Sequence, residues 1–189
     1  AVTLARGIAE LATGDGGWFT RHPDGDQMVR HCLDFMQVAI NLADDLDDET
    51  KSSMVKLVED ELFTDQWMRA QSLNDPAADF SDRPDHGAFG AYDGWPGETA
   101  YGLFKLGADD VAYKFLRSIY PVTFESTWSQ AHEFVGDVKS KTPVVRIAER
   151  GVNCRDAISG SAIGQAIICG LFGFDPEYSD DDTNVSLHL

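Results

Sequence analysis

Residues 79–98, which read DFSDRPDHGAFGAYDGWPGE, form a long segment without an apolar period in a chain whose other segments are mostly helical in pattern. Irregular loops of this length are uncommon in compact helical domains and are more often functional or disordered than simple connections. This one carries four aromatic side chains: Phe80, Phe89, Tyr92 and Trp95. A solvated linker is rarely so aromatic, so we expect an ordered loop that forms a site.

Size and charge restrict the partners of the chain. Its 189 residues are 43% hydrophobic, which is enough for one globular domain with a sizeable core. With 32 acidic and 15 basic residues, the formal net charge is −17. Such a charge repels nucleic acid and anionic membranes, so we expect neither as a partner. No apolar run reaches the roughly 18 residues of a membrane helix, and the compartment stays open between periplasm and cytoplasm.

Two helical patterns before this segment predict a first αα-hairpin. After a helix end at Leu4–Ala12, a helix is expected from Asp26 to the acidic turn at residues 44–49. Its apolar face lies at helical spacing: Val29, Leu33, Met36, Ile40 and Ala43. A helix capped by Asp48 and continuing through Trp67 and Met68 towards Leu73 follows. Its core positions recur every four residues: Met54, Val58 and Leu62.

A second αα-hairpin is expected after the segment. Its first helix starts near Gly97 and ends at Gly107, a residue suited to the left-handed position after a helix. Asp109 is the expected N-cap of the next helix, which Pro121 ends. The buried stripe of that helix has four members: Ala112, Phe115, Leu116 and Ile119.

The last third of the chain mixes short elements with one apolar helix. A short helix is expected over residues 129–137, and either a short strand or an irregular crossing over residues 144–148. Residues 155–172 are apolar nearly all round, which is typical of a helix buried on most sides. The alternation of long loops, helices and tight turns along the chain predicts an all-α fold of αα-hairpins arranged as part of an (α/α) toroid, with the long loops on one face.

Three stretches carry a resemblance. Residues 85–117, DHGAFGAYDGWPGETAYGLFKLGADDVAYKFLR, read as a loop, an inner helix, a Leu-Gly turn and an outer helix. Residues 123–134 read TFESTWSQAHEF, and residues 155–176, RDAISGSAIGQAIICGLFGFDP, include a Leu-Phe-Gly-Phe step before a proline. Together they resemble the C-terminal half of the six-hairpin (α/α)6-barrel glycosidase superfamily.

The resemblance implies a division of the domain. A full toroid of this family has twelve helices, whereas residues 1–189 supply about six or seven by pattern. We therefore expect this single helical domain to be the C-terminal part of an (α/α)6 catalytic domain, with the N-terminal half as its partner. In the family the general acid usually lies in that first half.

Glycoside hydrolysis needs one protonated carboxyl and one ionised carboxylate on either side of the scissile bond, and the family favours inversion. Glu125 and Glu133 are the expected catalytic carboxylates, because Glu125 lies between aromatic residues and Glu133 follows a histidine. Glu98 is a third candidate, although a carboxylate at a helix start also favours the positive end of the helix dipole. A solvated or capping role competes with catalysis for each.

The expected substrate is an oligosaccharide or polysaccharide, bound by aromatic faces and polar groups. The predicted substrate-binding residues share loops at one end of the fold: Trp18, Arg83, Asp85, His86, Asp93, Trp95, Trp128 and His132. A loop-internal Arg–Asp network and core packing of each Trp are the competing interpretations. The histidines lack metal-ligand spacing, so we expect no metal and no cofactor.

Two other functions stay open. A helical toroid that lacks the general acid would bind carbohydrate without cleaving it. A polysaccharide lyase would need a Tyr/His pair or an Arg beside a uronate, for which Tyr92, His86 and Arg83 are candidates.

Overall fold

The computed structural model of this chain is mostly helical, so the all-α class is confirmed at that level. It describes residues 2–12, 19–20, 22–25, 28–64, 67–78, 86–88, 90–91, 94–123, 132–133, 145–146, 158–178 and 185–188. The α-helices are α1 (Val2–Leu11), α2 (Cys32–Leu42), α3 (Asp48–Leu57), α4 (Trp95–Lys105), α5 (Asp109–Thr123) and α6 (Ile158–Gln165). Two helices continue as wider π-helical turns, α3 over Val58–Leu62 and α6 over Ala166–Leu171.

In the part of the chain that the structure describes, the strands are short and form three antiparallel pairs. They are β1 (Phe19–Thr20) with β2 (Met28–Val29), β3 (His132–Glu133) with β4 (Val145–Arg146), and β5 (Asp175–Tyr178) with β6 (Val185–His188). A two-stranded pair is marginally stable by itself. The helices therefore supply the frame of the fold.

Helix α4 is the centre of that frame, since it packs against α2, α5, α6 and the π-helical turns after α6. Pro96 occupies its first turn, where a missing N–H leaves no hydrogen bond unmade. At its other end Gly107 adopts φ +76°, and the N–H groups of Gly107 and Ala108 donate to the carbonyls of Phe104 and Leu103. This Schellman motif ends α4 and starts the turn into α5, as the glycine predicts.

Helices α2 and α6 both run parallel to α4. On one side, Trp95 meets His31 at the start of α2, and Gly102 meets Phe35 and Ala39 further along it. Contacts that advance together on both helices mean that the helices point the same way.

On the other side of α4, the same order holds. Gly97 lies against Ala162, and Phe104 lies against Gly170. The N-terminal ends of α2, α4 and α6 therefore lie at one end of the fold. Glycine allows the close approach on this side, because a Cβ atom on Gly97 would lie 2.5 Å from the carbonyl carbon of Ala162.

One hydrophobic core joins these helices. Its largest fully buried side chains include five from α2, α3, α4, α5 and the π-helical turns after α3: Phe35, Met54, Leu62, Leu103 and Phe115. The predicted core positions of α3 are confirmed, since Met54, Val58 and Leu62 are each 0% exposed. The core stripe of α5 is also buried at Ala112, Phe115 and Ile119.

The helix after residue 158 is less buried than its apolar sequence predicts. Ile168 is 56% exposed and Leu171 is 39% exposed, and Phe172 beyond the helix is 64% exposed. Its contact with α4 uses small residues, Ala162, Ala166 and Gly170, so the large side chains remain on the outer surface. The prediction of burial on most sides is wrong.

Several predicted boundaries are also wrong. The helix expected from Asp26 begins at Cys32, because Val29 pairs with Phe19 in β2 and His31 caps the helix. The cap of α3 is Asp47, whose side chain accepts a hydrogen bond from the Thr50 N–H, and Asp48 is its first residue.

Two further predictions fail near helix ends. Asp109 is the first residue of α5 rather than its cap, and α5 continues past Pro121 to Thr123. Because proline has no N–H, the carbonyl of Arg117 receives no helical hydrogen bond from residue 121. Within the described ranges, no helix is both long and apolar enough to cross a membrane.

Candidate functional site

The site is built on an extended backbone segment, residues 67–72, which we call the ribbon. A helix was expected through this segment, but every one of its residues is buried, and the backbone groups of Ala70, Gln71 and Ser72 pair at long range. On one side, Cys32 N–H donates to Ala70 O at 2.7 Å, and Ser72 N–H donates to Arg30 O at 2.8 Å. These two bonds fix the ribbon to the chain that enters α2.

The other side of the ribbon holds the long irregular segment. Ala70 N–H donates to Gly90 O at 2.6 Å, and Gln71 N–H donates to Gly87 O at 3.1 Å. The described part of the long segment is therefore attached to the core by backbone hydrogen bonds.

Arg69 strengthens the same attachment from inside the fold. Its side chain is 2% exposed, and Nη1 donates to Ala88 O at 2.6 Å. The guanidinium also lies 5.7 Å from the centre of the Trp67 ring. Burial lowers the pKa of Arg69 to about 10, so the side chain stays charged at neutral pH. Trp67 is 2% exposed, which confirms its predicted place in the core.

A charged network supports the entry to α2. Arg30 Nη1 lies 2.7 Å from Glu61 Oε1, and the Ser72 hydroxyl donates to Glu61 Oε2. Arg30 N–H donates to Asp75 Oδ2 at 2.7 Å. Both members of the ion pair are less than one-fifth exposed, at 15% and 18%. A pair this sheltered is screened less than a surface pair, so it fixes Arg30 and its neighbour His31 firmly.

His31 makes two directional hydrogen bonds. Its Nδ1 accepts from the Leu33 N–H at 3.1 Å, which caps α2. Its Nε2 lies 3.2 Å from the backbone oxygen of His86. Burial is the main cause that lowers the pKa of His31 from 6.5, partly offset by the bond to His86.

Three aromatic rings meet at the start of α4. The His31 and Trp95 ring centres lie 5.2 Å apart at 83°, and those of His86 and Trp95 lie 4.9 Å apart at 70°. We call His31, His86 and Trp95 the aromatic cluster. All three residues are partly exposed, so a ligand can reach them.

Glu98 follows Trp95 by three residues, on the same face of α4. Its carboxyl group is partly buried, and burial raises its pKa. A carboxyl group with a raised pKa holds its proton closer to neutral pH and can act as a general acid.

A second carboxylate lies nearby on the first turn of α2. Electrostatic interactions with the carboxyl groups of Asp34 and Glu98 both help to raise the pKa of the buried Cys32 thiol, after burial itself. Both carboxyl groups are therefore near one side chain, at the N-terminal ends of two parallel helices. The described residues include no group of three or more His, Cys, Asp or Glu side chains placed to hold a metal ion.

The predicted site residues divide into three groups. His86 and Trp95 are described and in contact, although Trp95 is the first residue of α4 rather than part of a loop. His132 and Glu133 lie in β3 opposite Arg146 and Val145, so the short helix expected over residues 129–137 is wrong there. The others lie outside the described residues: Trp18, Arg83, Asp85, Asp93, Glu125 and Trp128.

Sequence reasoning missed four residues around the cluster: His31, Asp34, Glu61 and Arg69. His31 and Asp34 stand in what reads as an ordinary amphipathic helix, and Glu61 stands in an acidic run. One local signal pointed to His31, because a polar residue directly before an apolar run can be an N-cap.

Comparison with known proteins adds no relative, since no protein-family model, curated protein or solved structure matches this chain. The candidate site therefore rests on its geometry and chemistry.

Proposed function

We propose that this chain is a glycoside hydrolase-like domain that acts on an oligosaccharide or polysaccharide by general acid–base hydrolysis. The observation that carries the proposal is Glu98, a partly buried carboxyl group with a raised pKa, three residues from the accessible Trp95. A protonated carboxyl beside an aromatic ring is what donation to a glycosidic oxygen requires.

The helix arrangement supports the toroid part of the proposal. In an (α/α) toroid the inner helices are parallel neighbours and their partners return outside them. The parallel order of α2, α4 and α6, with α5 returning from α4, fits three successive inner helices and one outer helix. The ends that carry the aromatic cluster would then form one face of the toroid.

In this proposal Glu98 donates a proton to the leaving oxygen and a second, ionised carboxylate activates water. Glu125 and Glu133 remain proposed for the second role, and Asp34 joins them because it lies near Cys32 together with Glu98. Trp95, His86 and His31 would bind the sugar. The N-terminal half of the toroid stays a proposed partner.

The test is hydrolysis of a panel of soluble oligosaccharides that differ in sugar, linkage and charge, followed by separation of the shorter products. Glu98→Gln should lower the rate by about 100-fold or more, the usual contribution of a general acid, while oligosaccharide binding is largely kept. Glu10→Gln, an exposed change on α1, is the matched control and should leave the rate unchanged. Hydrolysis that survives Glu98→Gln would contradict the assignment of the acid.

Other outcomes decide between the remaining functions. Binding that depends on Trp95 with no hydrolysis by the unmodified chain would replace the enzyme with a non-catalytic carbohydrate-binding domain. An unsaturated product that absorbs in the ultraviolet would replace hydrolysis with lyase chemistry.

A further inference from the structure

The two hydrogen bonds of His31 determine its protonation state. The Leu33 backbone N–H can only donate, so the Nδ1 atom that it reaches at 3.1 Å must carry a lone pair. The His86 carbonyl can only accept, so Nε2, 3.2 Å away, must carry the proton. Only the neutral imidazole with its proton on Nε2 satisfies both partners.

The same ring connects two parts of the chain that are 55 residues apart. Nδ1 belongs to the cap of α2, and Nε2 holds the segment that contains His86. Trp95, the first residue of α4, contacts the same ring, and the two ring centres lie 5.2 Å apart. The orientation of His31 therefore sets the relative positions of α2, residues 86–88 and Trp95.

We propose that His31 is a positioning residue of this site: its neutral ring holds His86 and Trp95 in place, and its protonation releases them. The inference rests on the proposed function only in treating the aromatic cluster as the edge of a sugar site. A proton on Nδ1 would face the Leu33 N–H donor, so the ring must leave the cap and with it the bond to His86.

The groups around the ring determine when this happens. Burial disfavours the charged ring, the bond to the His86 carbonyl opposes that effect, the electrostatic interaction with the His86 side chain adds to it, and Asp75 opposes it. On α2, the Cys32 Sγ lies 3.9 Å from Nδ1, and burial keeps that thiol protonated by raising its pKa. Helix α4 contributes the uncharged Trp95, with Glu98 one turn further on. His31 is therefore expected to release His86 and Trp95 below pH 6.5, as the pH falls through the lowered pKa of His31.

The sign of the effect on stability follows from the same shift. The unfolded chain takes up a proton on His31 near pH 6.5, before the folded chain does. The stabilising contribution of neutral His31 is thus complete above pH 6.5 and declines as the pH falls toward its folded-state pKa.

Nuclear magnetic resonance of the ¹⁵N-labelled chain tests the proposal without any sugar. Long-range ¹H–¹⁵N spectra should show His31 protonated on Nε2 alone at neutral pH, with a titration midpoint below 6.5. The indole N–H signal of Trp95, assigned with Trp95→Phe, should shift with that same midpoint. Three results would overturn the proposal. They are a proton on Nδ1 of His31, a His31 titration midpoint at or above pH 6.5, or a Trp95 signal that does not shift as His31 titrates.

Two variants separate positioning from capping. His31→Asn keeps a good N-cap, because an Asn side chain accepts from the helix N–H groups, but it cannot titrate or bond both partners. It should leave the Leu33 amide protected from hydrogen exchange and abolish the pH-dependent shift of Trp95. His86→Ala keeps the backbone carbonyl and should preserve that shift. A shift that survives His31→Asn, or disappears in His86→Ala, would assign the effect to His86 and refute the role of His31.

These readouts are independent of hydrolysis. If no oligosaccharide is cleaved but the His31 and Trp95 signals titrate together, the proposed function fails and the positioning role stands. If hydrolysis depends on Glu98 but the two signals do not titrate together, the positioning role fails alone.

Discussion

Gly97 on α4 touches the backbone of Ala162 on α6, so closely that a Cβ atom at residue 97 would lie 2.5 Å from the Ala162 carbonyl carbon and 2.6 Å from the Ile163 nitrogen. No side chain can rotate away to relieve this contact, since the nearest atoms are backbone. The whole of α4 would have to move from α6. This single position therefore controls the spacing of two parallel helices.

We expect Gly97→Ala to destabilise the fold by about 2–3 kcal/mol, the upper range for overpacking a closed interface. Gly164→Ala is the matched control on α6, because no heavy atom lies within 4 Å of a Cβ there. Alanine is the better helix former, so Gly164→Ala should be neutral or stabilise by up to about 1 kcal/mol. Urea unfolding followed by circular dichroism measures both. Equal effects of the two substitutions would show that α4 and α6 do not pack as described.

The acidic run at residues 59–61 contains two glutamates with different surroundings. Glu61 binds Arg30 and Ser72 in a sheltered network, whereas Glu59 pairs with the 77% exposed Lys114 at 3.3 Å. Glu61→Ala should therefore lower the unfolding free energy by about 2 kcal/mol, the range for hydrogen bonds to charged groups. Glu59→Ala should cost less than about 1 kcal/mol. Unfolding measured at low and high salt separates them further, because salt should weaken only the exposed pair. A larger decrease in unfolding free energy for Glu59→Ala than for Glu61→Ala would refute the stabilising role of the network around Glu61.

Helical spacing and turn chemistry predicted some of the features that depend on neighbours in sequence. Met54, Val58 and Leu62 repeat at the spacing of a helix face and are fully buried. Gly107 has the left-handed φ expected after a helix. Both features are decided within one or two turns of chain.

The ribbon was missed because its structure is decided by distant partners. Its hydrogen bonds go to Arg30 and Cys32 on one side and to Gly87 and Gly90 on the other. The apolar residues Trp67 and Met68 are equally compatible with a helix when read locally. Extended backbone is favoured over helix here because Ala70, Gln71 and Ser72 make backbone hydrogen bonds to partners that are distant in sequence.

The site was half predicted for the same reason. His86 and Trp95 stand in one unusual segment, so their proximity could be expected from the sequence. His31 joins them from 55 residues before His86, through a backbone carbonyl that carries no side-chain signal. The raised pKa of Glu98 arises from burial, which local sequence does not report.

The cap of α3 gives a test of the corrected helix start. Asp47 accepts a hydrogen bond from the Thr50 N–H at 2.7 Å, and this bond lowers the pKa of Asp47. Asp47→Ala should reduce the melting temperature at neutral pH, because it removes the cap. Asp48→Ala removes only a charge near the helix start and should have the smaller effect. Thermal unfolding of both variants, followed by circular dichroism, measures the two melting temperatures. A larger decrease in melting temperature for Asp48→Ala would identify Asp48, the residue expected from sequence, as the N-cap.

The partly buried carboxyl group of Glu98 predicts a pH-dependent gain in stability. Because burial raises its folded-state pKa, the folded chain holds the proton more strongly than the unfolded chain does. The charged form is therefore unfavourable in the fold at neutral pH, and this penalty disappears as the pH falls below the ordinary Glu pKa of 4.5, where both states are protonated. Glu98→Gln, whose side chain is neutral at every pH, should raise the melting temperature at neutral pH. This increase over the unmodified chain should disappear as the pH falls below 4.5.

Thermal unfolding of Glu98→Gln and the unmodified chain across this pH range measures the difference directly. The exposed Glu10→Gln on α1 is the matched control and should melt close to the unmodified chain at neutral pH. If Glu98→Gln melts lower than the unmodified chain at neutral pH, the carboxylate is stabilised in the fold, and Glu98 would be ionised where a general acid must be protonated. The dependence of the melting temperature on pH thus tests both the burial of Glu98 and its assignment as the general acid.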